Sequence, residues 1–205
     1  GFRDYRGGGR SSGRETLSRV AAGAIACKIL KQMGISVCAY TRSIGAIQAD
    51  LSHFDRTAIL ETATAMPDRK ADDAAISYLE GAKKQSNSVG GCMECRIEGL
   101  PAGIGDPVFE KLDANLAKAV MSIGAVKAVE IGDGCKVSSR FGTDNNDAFH
   151  LEDGKVVKTT NHAGGVLGGI SDGSTLLIRA HVKPTPSIYT TQETVNKSGE
   201  EININ

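Results

Sequence analysis

The sequence predicts an α+β fold, and three observations point to it. Apolar residues recur at helical spacing in three separate stretches, and strand-like runs lie between those stretches. Some strands are joined directly by hairpin signals such as Glu152-Asp153-Gly154, so the order is not the regular βαβ alternation of a parallel sheet. No repeat and no low-complexity linker interrupts the 205 residues, and residues 1–205 read as a single domain.

The elements follow in order. Arg14 to Met33 sets Leu17, Val20, Ala21, Ala24, Ile29 and Met33 close to helical spacing; Ser12-Gly13-Arg14-Glu15 fits a capping box and Gly34 a C′ stop. Ile35 to Thr41 reads as a strand, and residues 43–68 have no clear period. Ala71 to Lys84 reads as a surface helix, with Asp72-Asp73 and Lys83-Lys84 on solvated faces. Val89 to Leu100 is a strand, and Pro101 to Gly105 a turn. Asp106 before Pro107 predicts an N-cap and first-turn proline for a helix striped by Val108, Leu112, Leu116, Ala119, Val120 and Ile123. Ala125 to Ile131 is a strand, Phe149 to Thr160 a hairpin, residues 164–173 a glycine loop, and Thr175 to Val182 a further strand.

Composition narrows the function. The 24 basic and 24 acidic residues cancel, which argues against a general nucleic-acid or polybasic membrane binder, and no run is long and apolar enough to span a bilayer. Five scattered cysteines with no signal peptide ahead of them read as free thiols in a reducing, cytoplasmic setting. Asn196-Lys197-Ser198 is then a chance sequon. Cys92 and Cys95 are three apart on a strand and point to opposite faces. No second cysteine pair or spaced histidine pair completes a metal site, so no metal is expected.

Three segments stand out as candidate sites. Arg6-Gly7-Gly8-Gly9-Arg10-Ser11-Ser12-Gly13-Arg14 combines flexible backbone, a helix start and arginines suited to phosphate or carboxylate, so an anionic ligand is expected there. Asn161 to Gly173 is glycine-rich, but a strand follows it where a dinucleotide fingerprint needs a helix. A hairpin and a ligand-approaching loop are equally compatible with it. Lys183-Pro184-Thr185-Pro186-Ser187 fits a strand ended by prolines at least as well as a ligand contact. The four histidines form no local cluster.

Together these segments resemble the chorismate synthase family. The resemblance rests on Arg3-Asp4-Tyr5-Arg6 leading into Gly-Arg-Ser-Ser-x-Arg-Glu-Thr, on Arg19 to Ala26 and Gly99 to Phe109, and on Met121 to Lys127 with Glu130 to Gly134. It continues through Asn161 to Ser171 and Lys183 to Ser187, in the family's order. It implies antiparallel sheets sandwiched together with helices outside, in a homotetramer. It also implies a lyase that eliminates phosphate from 5-enolpyruvylshikimate 3-phosphate, 1,4-anti, to give chorismate with reduced FMN as cofactor. By the same resemblance Arg10, Ser11, Ser12, Gly124, Ala125, Gly168 and Lys183, Pro184, Thr185, Pro186, Ser187 contact the flavin, and Arg14 faces the substrate. Pattern alone marks Gly124-Ala125 only as a helix-to-strand turn. The family's two histidines and its essential aspartate have no counterpart here, and His162 belongs to the glycine loop. Gly13 stands where many members have alanine.

Both ends read as those of a partial chain. The expectation is weak flavin binding and little turnover by the 205 residues alone, with a non-catalytic flavin- or phosphate-binding module as the alternative and a purely structural subunit as a third.

Overall fold

Helix α1 (Thr16–Gln32) stops where its sequence signals it should, but starts two residues later than expected, because Ser12 caps a preceding turn and the Glu15 carboxylate pairs with Arg19 rather than closing a capping box. Ser12 Oγ accepts the Arg14 N–H at the head of a short 3-10 turn, Gly13–Glu15, that leads into the helix. At the other end Gly34, at φ 81°, donates to Lys31 O while Ile35 donates to Leu30 O, the paired bonds of a Schellman stop. The structure is a computed structural model that describes residue 4 and residues 6–204. Gly1, Phe2, Arg3 and Tyr5 of the opening motif, Asn205, and the side chain of Arg10 lie outside the described residues. Along α1 no residue is buried. Leu17, Val20, Ile25, Ile29 and Met33 are all more than half exposed, because among the described residues nothing covers that stripe.

The other elements are β1 (Ser36–Ile44), β2 (Ile47–Gln48), α2 (Ala58–Glu61), α3 (Arg69–Lys84), β3 (Gly91–Glu98), α4 (Leu112–Met121) and β4 (Val126–Ile131). After them come α5 (Gly142–Asn145), β5 (Phe149–Glu152), β6 (Lys155–Lys158), β7 (Val166–Leu167), β8 (Ile170–Ser171), β9 (Leu176–Val182), β10 (Gln192–Val195) and β11 (Glu201–Ile204). Five strands form one sheet in the order β2-β1-β3-β9-β4, and three two-stranded antiparallel pairs, β5-β6, β7-β8 and β10-β11, complete the set. The α+β class expected from the sequence is the class observed.

The chain divides into two compact units. One comprises Gly1–Ala39 with Glu94–His181, the other Tyr40–Met93 with Val182–Asn205. The second unit is built on α3. Asp68 caps this helix, accepting from the Lys70 and Ala71 N–H groups, and also holds the Asp50 N–H at 3.0 Å. Ala49, Met66, Ala71 and Ala75 close its core against Ile44 and Ile47, and Tyr40 meets Phe54 edge-on. Asp72 corrects the expectation of a solvated Asp72-Asp73 pair. It is only 6% exposed because its carboxylate accepts both the N–H and the hydroxyl of Thr64, whereas Asp73 faces water.

In the first unit the helix expected to begin at Asp106 begins at Leu112. Asp106 and Glu110 exchange two backbone bonds of 3.0 Å as an isolated bridge, and Lys111 is extended, so helical backbone cannot start before it. Ala125 is likewise not a strand residue; β4 opens at Val126. A polar ladder runs across β3, β9 and β4. Arg179 Nε donates to Glu94 at 2.6 Å and its Nη1 to the Gly132 carbonyl at 2.9 Å, while His181 Nε2 stands 3.2 Å from Glu130. Glu94 is 2% exposed, a burial tolerable only with such a partner.

Candidate functional site

The first loop is shaped by its glycines. Gly8 (φ 83°) and Gly9 (φ 51°) take left-handed backbone, which turns the chain so that the Gly8 N–H reaches Asp4 O and the Ser11 N–H and hydroxyl both reach Gly8 O. Arg6 folds back on Asp4 through its backbone N–H and its Nε. Arg14 donates from Nε to Ser12 Oγ at 3.2 Å and from Nη2 to the Gly7 carbonyl at 3.1 Å. Among the described residues these Arg14 partners are neutral oxygens, which leave its charge uncompensated. A cavity of about 440 Å³ opens here, lined by Asp4, Arg6, Gly7, Gly9, Ser12, Arg14 and Glu15. Helix-start N–H groups beside a guanidinium make an environment for an anion. Ser12 is the cap, and Ser11 is held by its bond to Gly8, with oxygen lone pairs left to accept.

The second glycine segment is a hairpin. Strands β7 and β8 pair Leu167 with Ile170 around Gly168 (φ 61°) and Gly169 (φ 87°), both left-handed as a two-residue hairpin turn requires. Its glycines divide into two kinds. A Cβ on Gly164 would lie 2.2 Å from the Gly132 nitrogen, one on Gly165 2.8 Å from Thr175 O, and one on Gly169 2.4 Å from the Lys111 side chain. Those three serve packing. A Cβ on Gly168 would meet nothing within 4 Å, as would one on Gly124. At these two tips the backbone lies open to a ligand.

The hairpin is fastened on both sides. Ser171, 4% exposed, donates from Oγ to Pro101 O at 2.6 Å and accepts the Ile104 N–H at 2.9 Å, which locks the Pro101–Gly105 turn to it. On the other side Lys158 Nζ stands 3.3 Å from Asp147, 2.7 Å from Asp172 and 3.1 Å from Asn161 Oδ1, all but sealed from water. Burial alone would raise the Asp147 carboxyl. The Thr160 hydroxyl, the Ala163 and His162 N–H groups and the Lys158 charge outweigh it and hold the group well below the ordinary carboxylate range. Asp172 is lowered too, burial again opposing and the bonds from Lys158 and Ser174 prevailing. His162 Nδ1 lies 2.6 Å from Asp133, which Arg140 also contacts at 2.5 Å, so this histidine is engaged in holding the loop. Neither Lys158 nor Asp147 carries a signal in sequence, and Ser171 carries one only as part of the glycine segment; their ion-pair and cross-loop partners lie between 11 and 70 residues away.

Gly124 and Ala125 form the tip of the tight Ile123–Val126 turn, closed by the Val126 N–H donating to Ile123 O at 3.2 Å. Ala125 is left-handed at φ 70°, a conformation that costs a non-glycine residue about 1–2 kcal/mol. Such a cost at an exposed tip marks the turn as a place to look for function.

Lys183–Ser187 belongs to the other unit. It follows β9 outside any strand, with all five residues exposed and its Thr185 carbonyl accepting from Ser88 Oγ at 2.6 Å. Pro184 lines a cavity of about 490 Å³ with Ser77, Tyr78, Asn87 and Ser88. Of the thiols, Cys95 is pushed up to about 11, mainly by burial and then by the neighbouring Cys38, Cys27 and Glu94. No group of three or more His, Cys, Asp or Glu that could hold a metal ion occurs among the described residues. No helix among them is long and apolar enough to cross a membrane.

The chain is thus an α+β protein with an arginine-bearing helix start, a glycine hairpin and a tight helix-to-strand turn whose backbone is open at Gly168 and Gly124. The comparisons name the family: the chorismate synthase model matches residues 1–205, and the chain belongs to the chorismate synthase family. It is 60% identical over 204 residues to a chorismate synthase of Agathobacter rectalis, covering 100% of this chain and 56% of that protein. It is 52% identical over 200 residues to one from Methanococcoides burtonii, covering 96% of this chain and 54% of that one. A solved chorismate synthase structure aligns with TM-score 0.79 at 31% identity, over 85% of this chain and 57% of its own. The chain thus spans little more than half the length of the relatives it matches.

Proposed function

We propose that the chain supplies the flavin-holding part of a chorismate synthase, which eliminates phosphate from 5-enolpyruvylshikimate 3-phosphate to give chorismate. Family membership and the open backbone at Gly124 and Gly168 support this reading. The observation that carries it is the cavity lined from Asp4 to Glu15 at a helix start, with Arg14 paired, among the described residues, to neutral oxygens.

Reduced FMN, when bound, supplies transient electron density to the substrate and takes part in removing the ring hydrogen. The residues proposed to hold it are Arg10, Ser11 and Ser12 of the first loop, Gly124 and Ala125, Gly168, and Lys183 to Ser187. The site fits such a group in one checkable respect: both proposed glycine contacts are places where a side chain would fill open space. Arg14 is proposed to face the substrate. Its guanidinium can exchange the Gly7 carbonyl, a neutral acceptor, for an anionic phosphate or carboxylate oxygen that it can grip bidentately. Beside a departing phosphate that cation would stabilise the developing charge. Assembly as a homotetramer in the cytoplasm is part of the same proposal and rests on the family alone. Nucleic acid and membrane are not proposed as partners.

The test is anaerobic incubation with 5-enolpyruvylshikimate 3-phosphate and reduced FMN, following chorismate by absorbance, beside an FMN titration. The protein is used at the length of its relatives, and Arg14→Ala is compared with the parent. Chorismate from the parent and a rate at least ten-fold lower from the variant support the reading. A parent that neither binds FMN nor yields chorismate refutes it, and FMN binding without product leaves only a binding module.

A further inference from the structure

Arg19 sits in the first turn of α1, where a cation works against the positive end of the helix dipole. Its contacts show what offsets that placement. Nε donates to both oxygens of Glu15, at 2.9 and 3.0 Å, in the favourable acid-first i,i+4 order. The rest of the guanidinium reaches out of the helix. Nη1 donates to Ser122 Oγ at 2.8 Å and Nη2 to the Ser122 carbonyl at 3.3 Å, 103 residues away in sequence. Ser122 is the C-cap of α4, so the same charge rests at the negative end of a second helix. Ser122 Oγ in turn donates to Ala119 O at 2.6 Å, which leaves its lone pairs aimed at Arg19.

One side chain therefore ties the start of α1 to the residue immediately before the Ile123–Val126 turn. Ser12, Arg14 and Glu15 lie at one end of the tie, and Gly124 and the left-handed Ala125 at the other.

We infer that Arg19 is a positioning residue. It fixes the Gly124-Ala125 turn against the first loop so that the two present backbone to one ligand. The inference rests on the flavin reading above, and it concerns a residue that touches neither flavin nor substrate. A lysine cannot replace it, since one ammonium cannot hold the Glu15 carboxylate and both Ser122 oxygens in a planar fork.

The experiment compares parent protein, Arg19→Ala, Arg19→Lys, Ser122→Ala and the Arg19→Ala/Ser122→Ala double variant. Each is titrated anaerobically with reduced FMN and, separately, melted without flavin. Arg19→Ala and Arg19→Lys should each weaken FMN binding about ten-fold. Ser122→Ala, which keeps the carbonyl, should weaken it about two- to three-fold, and the double variant should be no worse than Arg19→Ala, since both remove one tie. Flavin-free melting temperatures should stay within about 2 °C of the parent, as befits an exposed ion pair. FMN affinity within two-fold of the parent in Arg19→Ala overturns the inference. So do additive losses in the double variant, full rescue by lysine, or affinity that falls only in step with the flavin-free melting temperature. A parent that binds no FMN refutes the flavin reading, and this inference with it.

Discussion

Lys158→Met removes the cation from between Asp147 and Asp172 while keeping a side chain of similar length. The three side chains are 3%, 2% and 8% exposed, so the two carboxylates left behind have no water to turn to. Breaking a buried pair in this way costs about 3–5 kcal/mol. Asp147 keeps the Thr160 hydroxyl and two N–H donors, and Asp172 keeps the Ser174 N–H, which argues for the lower half of that range. Unfolding entropy of about 2.1 cal/mol/K per residue over 205 residues gives about 0.43 kcal/mol/K, so a loss of about 3–4 kcal/mol should lower the melting temperature by about 7–9 °C. The pH dependence supplies the sharper check. Both carboxyls sit below their ordinary value in the folded protein. Their contribution is therefore complete above the unfolded value of about 3.9 and is lost as pH falls through the folded values. Urea unfolding at pH 7 should show the full gap between parent and variant, and unfolding near pH 3 a smaller one. A loss below about 1 kcal/mol at pH 7, or a gap that does not change with pH, would show that the lysine is not what compensates these carboxylates.

Three shorter tests follow. Ser171→Ala strands the Ile104 N–H and the Pro101 carbonyl and should cost about 1–3 kcal/mol in urea unfolding; no loss would mean that the Pro101–Gly105 turn does not depend on that hydroxyl. Gly132→Ala and Gly154→Ala both place alanine at positive φ, but the first Cβ would lie 2.1 Å from the His162 carbonyl and the second would meet nothing within 4 Å. Gly154→Ala should cost about 1–2 kcal/mol and Gly132→Ala at least about 3 kcal/mol more, so equal losses would discard the steric argument. Cys27 and Cys135 are exposed, whereas Cys95, pushed up to about 11, holds about one part in a thousand as thiolate at pH 8. A thiol-reactive dye should label the first two well before Cys95, and equal rates would contradict its burial.

What the sequence made legible was chemistry that closes within a few residues. Ser12 as the cap of its turn, Gly34 as the Schellman stop and the Asp153-Gly154 hairpin all use partners no more than about five positions away, and all three stand in the structure. Expectations failed where a distant partner overrides a local signal. Asp72 sits in a charged doublet that reads as solvated, until Thr64 supplies two donors and draws one of the pair inside. Asp106-Pro107 reads as a helix start, yet the Leu112 N–H is committed to Gly169, far along the chain, and Asp106 closes a bridge with Glu110 in place of a helical turn. Arg19 has no reading of its own in sequence, and its tie to Ser122, 103 residues away, shows only in the structure.

The glycines show why the candidate site was only half legible. In sequence Gly132, Gly164 and Gly169 cannot be told from Gly124 and Gly168. In space the first three stand where an added methyl group would strike backbone or a neighbouring side chain, and the last two where it would meet nothing. Glycine is required at the former by the protein's own packing. At Gly168 the left-handed turn gives a reason that needs no ligand, but at Gly124 neither crowding nor a positive φ does. The left-handed strain falls instead on Ala125, the residue that has a Cβ to suffer it. A turn that puts glycine on the unstrained position and alanine on the strained one is poorly explained by folding alone. The flavin contact proposed at residue 124, which needs bare backbone there, supplies the missing reason.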